Sequence, residues 1–138
     1  MNESDVHARV NAFLDGEIFA VVGATTVRAK YGNKVLRVYQ QNDRKVYPVN
    51  RKGGVIEGLQ AYESLSDIPE PIHGVSIITP PKITEQIVDE ALELGIRHFW
   101  MQPGAESDAA TQRARDAGAV VIPGDACILV VLGYRENG

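Results

Sequence analysis

Ile18-Phe-Ala-Val-Val-Gly23-Ala-Thr-Thr-Val-Arg-Ala-Lys-Tyr-Gly32-Asn33 is the stretch that decides the fold. Apolar, partly β-branched residues run into a glycine, then a small and basic loop, then a helix opened by Gly32 and Asn33. α/β proteins hold phosphate with this arrangement, because first-turn amides lack helical partners and the helix dipole favours an anion. Gly23 lets the backbone turn sharply. Beside it, Ala24, Thr25 and Thr26 offer amides and hydroxyls, and Arg28 and Lys30 add charge. A plain strand-to-helix turn explains the same residues. The spacing is not the GxGxxG of dinucleotide folds, and the missing GK[ST] excludes a P-loop NTPase.

A second strand, Lys45–Val49, ends in Asn50, Arg51 and Lys52. NAD-binding sheets carry an acidic residue here for the ribose 2′-hydroxyl. This chain instead presents an amide and two cations, which suit a nucleotide whose ribose is phosphorylated: Asn50 for ribose or base, Arg51 for phosphate, Lys52 as a mobile charge. A charged surface loop is the other reading. Eight of the fourteen basic residues lie between 28 and 52 against Asp43 alone, giving +7 there and −11 over the rest. Such concentration in an acidic chain points to a compact anion, not to nucleic acid. Within that window Lys34, Arg37, Arg44 and Lys45 read as a solvated helix face.

Three further apolar runs, Gly74–Thr79, Arg97–Gln102 and Ala119–Ile122, complete five strands. Helical spacing appears over Ser4–Leu14 (with Ser4 or Asp5 at its start), Asn33–Asn42, Lys82–Leu94 and Glu106–Ala117. Gly53–Pro71 reads as a turn plus a short helix around Leu65–Ile68. This alternation predicts an α/β fold, a Rossmann-like doubly wound parallel five-stranded sheet in order 3-2-1-4-5 with helices on both faces. Ligands lie beyond the carboxyl ends of such strands. The tips include Val49, Thr79-Pro80-Pro81, a stiff wall suited to an adenine ring, and Gln102-Pro103-Gly104. Trp100 and Phe99 read as core.

At 138 residues, 44% hydrophobic and 23% charged, the chain reads as one soluble domain spanning 1–138. No apolar run is long enough for a membrane helix. The polar N-terminus is not that of a signal peptide, and the single cysteine, Cys127, suits a reducing cytoplasm. His7, His73 and His98 fall on different elements, so no metal site is expected. The carboxylates Glu85, Asp89, Glu90 and Glu93 read as a solvated helix face. No catalytic residues are legible, and the sequence names no protein partner.

In order along the chain stand Val21-Val-Gly-Ala-Thr25, Val46-Tyr-Pro-Val-Asn50, Ser64-Leu-Ser-Asp-Ile-Pro69, Thr79-Pro-Pro81, Trp100-Met-Gln-Pro-Gly104 and Gly124-Asp-Ala-Cys127. In this the chain resembles the small CoA-binding proteins related to the CoA-binding domain of the succinyl-CoA synthetase α subunit, over residues 14–128. The resemblance implies coenzyme A as the ligand. Gly23–Thr26 and Arg28–Asn33 would hold the diphosphate, Val49–Lys52 the adenosine and its 3′-phosphate, and Thr79–Pro81 the adenine. Gln102–Gly104 would lie nearer the pantetheine arm. Lys52-Gly53-Gly54 matches a lysine before paired glycines in the synthetase, whereas Arg51 replaces the usual proline after Asn50. No counterpart of the synthetase's phosphohistidine domain is expected. Binding of CoA or an acyl-CoA is therefore the leading reading. The alternatives are an NADP-dependent oxidoreductase or acyl-CoA-handling enzyme, and a contact subunit using Ile128–Tyr134.

Overall fold

Side-chain alternation along the first strand divides the core in two. The computed structural model describes residues 3–124 and 126–136, with side chains from residue 6 onward. Its elements are α1 (Glu3–Leu14), β1 (Ile18–Val22), α2 (Tyr31–Gln41), β2 (Lys45–Val49), β3 (Val55–Ile56), β4 (Leu59–Gln60), a 3₁₀ turn (Leu65–Asp67) and β5 (Gly74–Ile77). There follow α3 (Pro81–Glu93), β6 (His98–Met101), α4 (Asp108–Asp116), β7 (Val120–Ile122) and α5 (Ile128–Val131). Phe19 and Val21 point into a layer with Val35, Leu36, Tyr39, Trp100 and Ile128. Ala20 and Val22 point the other way, to Val75, Ile77, Val88, Phe99 and Ala114. Strands covered on both faces read as unbroken apolar runs, which these do. Phe99 and Trp100 are core, as expected.

Five parallel strands form the main sheet in the order β2-β1-β5-β6-β7. The doubly wound α/β architecture stands, but the expected order 3-2-1-4-5 does not. The third long strand pairs with the first, giving 2-1-3-4-5 and leaving β2 at the edge. Pro48 supplies the physical reason. Val49 faces β1, its carbonyl accepting from the Gly23 amide at 3.3 Å. Pro48 therefore faces outward, and its carbonyl accepts from the Tyr62 amide at 3.0 Å. The donor that proline lacks thus falls on the outer side, which only an edge strand tolerates. Asn50 N also donates to Tyr62 O, so the chain around Tyr62 covers that edge at the tip of β2.

Three local details refine the sequence reading. Within residues 53–71 the expected short helix is the 3₁₀ turn at Leu65–Asp67, and the expected turn is a β3–β4 hairpin. Glu57 and Gly58, with φ of 49° and 80°, make its two-residue loop, the primed geometry that matches strand twist. The last apolar run ends in a short helix, α5, that packs on α2. Helix α1 begins at Glu3, ahead of Ser4 and Asp5, whose side chains lie outside the described residues. Among the described residues, no helix is long and apolar enough to cross a membrane.

Candidate functional site at the carboxyl edge

The loop after β1 is shaped by two close backbone approaches. Gly23 has φ +99°, and a Cβ there would stand 2.1 Å from the Ile78 carbonyl oxygen. A Cβ at Gly32 would stand 2.1 Å from the Gly23 carbonyl oxygen. Helix α2 is thus pressed against the turn that feeds it, with Lys30 as N-cap and no side-chain cap. Thr25 Oγ1 accepts from Val27 N at 3.2 Å. Among the described residues, the amides of Thr26, Arg28, Tyr31 and Gly32 have no acceptor. Unpaired amides around a helix N-terminus are what an anion fills.

Buried side chains hold that loop in place. Asn33, fully buried, donates to Thr25 O at 2.8 Å and Glu57 Oε2 at 3.1 Å, and its Oδ1 accepts from Arg37 Nε at 2.7 Å. Arg37 also donates to Arg28 O at 2.8 Å. Arg37 is 5% exposed, so it does not belong to a solvated face. Arg44 is half-buried and donates to Leu14 O at 2.8 Å, while Lys45 pairs with Glu70 and Lys34 with Glu136. Arg28 forms an ion pair with Glu57 at 3.3 Å. Glu57, on the hairpin loop, escaped the sequence reading, which placed Arg37 on a solvated face. Glu57-Gly58 between short apolar pairs was the available hairpin signal.

The tip of β2 is tied to the same loop. Asn50 Nδ2 donates to Ala24 O at 2.8 Å, and its Oδ1 accepts from Lys52 N at 2.8 Å. Gly53 N closes the turn on Asn50 O at 2.9 Å. Arg51 and Lys52 project from this turn, exposed, and like Lys30 they meet no carboxylate among the described residues. Three free cations therefore flank the unpaired amides. Val49 is buried and contributes only backbone.

Further along the edge, Thr79 Oγ1 lies 2.8 Å from Thr84 Oγ1, which ties the strand exit to α3. Pro80 caps that helix and Pro81 opens it, both exposed. Pro103 and Gly104 are exposed too, whereas Gln102 is fully buried. Its Oε1 accepts from the Tyr31 hydroxyl at 3.2 Å and from Ile128 N at 3.3 Å. Tyr31 OH lies 2.8 Å from Cys127 Sγ. Burial, then the Cys127 contact, pushes the Tyr31 hydroxyl well above the usual phenol range, so it stays protonated. The edge is open, and a cleft of about 230 Å³ lined by Arg44, Tyr47 and Tyr62 among others lies apart from these loops.

At the opposite, amino-terminal edge the structure joins two residues the sequence left apart. His73 and His98 stack with centroids 4.3 Å apart. His73 Nε2 is 2.9 Å from Ala12 O, and burial, reinforced by His73, lowers the His98 pKa. Among the described residues, no group of three or more His, Cys, Asp or Glu is placed to hold a metal. The expected solvated carboxylates of α3 bridge to neighbours: Glu85 and Asp89 pair with Arg113, and Glu90 accepts from Ser66.

Comparison with known proteins gives a consistent match. The profile of a family described as CoA binding domain matches residues 17–133. The α subunit of an ADP-forming acetate–CoA ligase II from Pyrococcus furiosus is 34% identical over 88 residues, 62% of this chain and 19% of that subunit. The chain thus spans about a fifth of the length of the curated relatives it matches. A conserved hypothetical protein of known structure from Pyrococcus furiosus is 36% identical, with a TM-score of 0.78 over 84% of this chain and 99% of the other. A hypothetical protein from Pyrococcus horikoshii OT3 is 26% identical, with a TM-score of 0.86 over 94% and 93%.

Proposed function

Since the chain belongs to the CoA binding domain family, we propose that it binds coenzyme A, free or acylated, along the carboxyl edge of its sheet. The observation that carries this reading is the junction made by Asn50. One side chain couples the unpaired amides of the Gly23–Gly32 loop to the turn bearing Arg51 and Lys52. A ligand with a diphosphate and a separate ribose phosphate meets both. The diphosphate takes the amides of Thr26, Arg28, Tyr31 and Gly32 with Lys30 beside them, and the 3′-phosphate takes Arg51 and Lys52. Thr79, Pro80 and Pro81 form the wall for the adenine, and the pantetheine arm runs toward Gln102, Pro103 and Gly104. Residues 1–138 act here as one CoA-binding domain in the cytoplasm, with no catalytic step assigned.

Isothermal titration with CoA, dephospho-CoA and NADPH tests it. Binding of CoA that weakens without the 3′-phosphate supports the reading. Absence of heat with CoA, or equal affinity for CoA and dephospho-CoA, overturns the assignment of Arg51 and Lys52.

A further inference from the structure

The carboxyl edge holds one group that the nucleotide does not use. Gln102 is fully buried, its oxygen is engaged by Tyr31 and Ile128, and its Nε2 has no partner among the described residues. A buried amide nitrogen left without an acceptor keeps its full desolvation penalty, so it marks a place where an acceptor is missing. The same amide shares the Tyr31 hydroxyl with Cys127, whose sulfur is 2.8 Å from that oxygen. Cys127 is half-buried. Its loop is anchored by Trp100, which donates from Nε1 to Ala126 O at 2.7 Å. The thiol is thus separated by one hydroxyl from the amide that carries the unsatisfied donor.

Resting on the CoA reading, we propose that Cys127 receives the thiol end of the ligand and forms a mixed disulfide with it, while Gln102 Nε2 takes the terminal amide carbonyl of pantetheine. The geometry favours this chemistry. On the CoA reading the nucleotide lies over β2, β1 and β5, with its diphosphate at the tip of β1, in a sheet of order β2-β1-β5-β6-β7. The tip of β7, which leads into Cys127, lies three strand spacings from β1, roughly 14 Å away. An extended pantetheine arm covers that distance. Its last amide carbonyl is separated from its sulfur by a nitrogen and two methylenes, so an amide donor and a thiol that share the Tyr31 hydroxyl as neighbour match its end.

The reaction is thiol–disulfide exchange with a CoA disulfide. Cys127 loses its proton to solvent, the Tyr31 hydroxyl turns its proton from Gln102 Oε1 to the thiolate, and the thiolate attacks one sulfur. The S–S bond of the CoA disulfide breaks as the Cys127–S–S–CoA bond forms. The second CoA leaves as thiolate and takes up a proton.

Intact-mass kinetics with CoA disulfide, pantethine and 2-hydroxyethyl disulfide test this, with CoA titrated calorimetrically on the same sample. Cys127 is the only cysteine, so any disulfide adduct reports on it. The rate with CoA disulfide should saturate and exceed that of 2-hydroxyethyl disulfide by about tenfold or more, because binding raises the local concentration of the reacting sulfur. Adenosine 3′,5′-bisphosphate should suppress the CoA disulfide rate and leave the 2-hydroxyethyl disulfide rate alone. Pantethine, which has the amide and no nucleotide, should fall between the two. Equal rates for all three disulfides, or no adduct although CoA binds, would overturn the proposal and leave CoA binding standing. No heat and no adduct would sink both together.

Discussion

Replacing Asn50 by alanine removes two hydrogen bonds, one to Ala24 O and one from Lys52 N, both 2.8 Å long. Each is partly shielded and is worth about 0.5–1.5 kcal/mol, so the variant loses about 1–3 kcal/mol of loop organisation. If the Gly23 loop and the Arg51–Lys52 turn must be held together to receive one ligand, that energy reappears as weaker CoA binding, roughly 5- to 150-fold. Asn50→Asp refines the test. It keeps the acceptor for Lys52 N but sets a carboxylate against the Ala24 carbonyl and beside the incoming phosphates. It should therefore bind CoA less well than Asn50→Ala. Calorimetric titration gives the affinities, and a thermal melt of each variant separates loss of the site from loss of the fold. A variant that melts as the parent does and binds CoA unchanged would refute the coupling; so would Asn50→Asp binding better than Asn50→Ala.

Lys52→Ala should weaken CoA by about 1 kcal/mol, roughly fivefold, since the side chain is exposed, and should leave dephospho-CoA nearly unaffected; parallel titrations with both ligands decide. Gly32→Ala places a Cβ 2.1 Å from the Gly23 carbonyl oxygen, a backbone contact that cannot yield by rotamer change. We expect about 1–3 kcal/mol of destabilisation in urea unfolding together with loss of CoA binding, and a fully stable variant would contradict the close approach. The depressed pKa of His98 sets a pH dependence. As pH falls below the unfolded value of about 6.5, the unfolded chain takes up a proton that the folded protein resists, so stability declines toward the folded pKa. Urea midpoints at pH 7.5 and 5.5 should differ less in His98→Phe than in the parent.

The strand–helix alternation, the five long strands and the glycine- and proline-marked loops at their carboxyl ends were all readable along the chain, because each rests on local periodicity and turn chemistry.

 Strands Ile18–Val22 and Lys45–Val49 fall where the apolar runs place them. Pro48 also carried the strand order, since a proline inside a strand names an edge, but that signal becomes legible only with the direction of its carbonyl in view. What sequence could not supply was every relation between residues far apart in the chain. Arg37 looks like a surface cation until Asn33, Arg28 and Tyr134 enclose it. His73 and His98 look unrelated until adjacent parallel strands stack them. Tyr31, Gln102 and Cys127 span 96 residues and meet because the carboxyl ends of β1, β6 and β7 open on one edge. Periodicity reports which face of an element is buried, whereas the partner on that face is chosen by the order in which the strands assemble, and that order belongs to the tertiary structure.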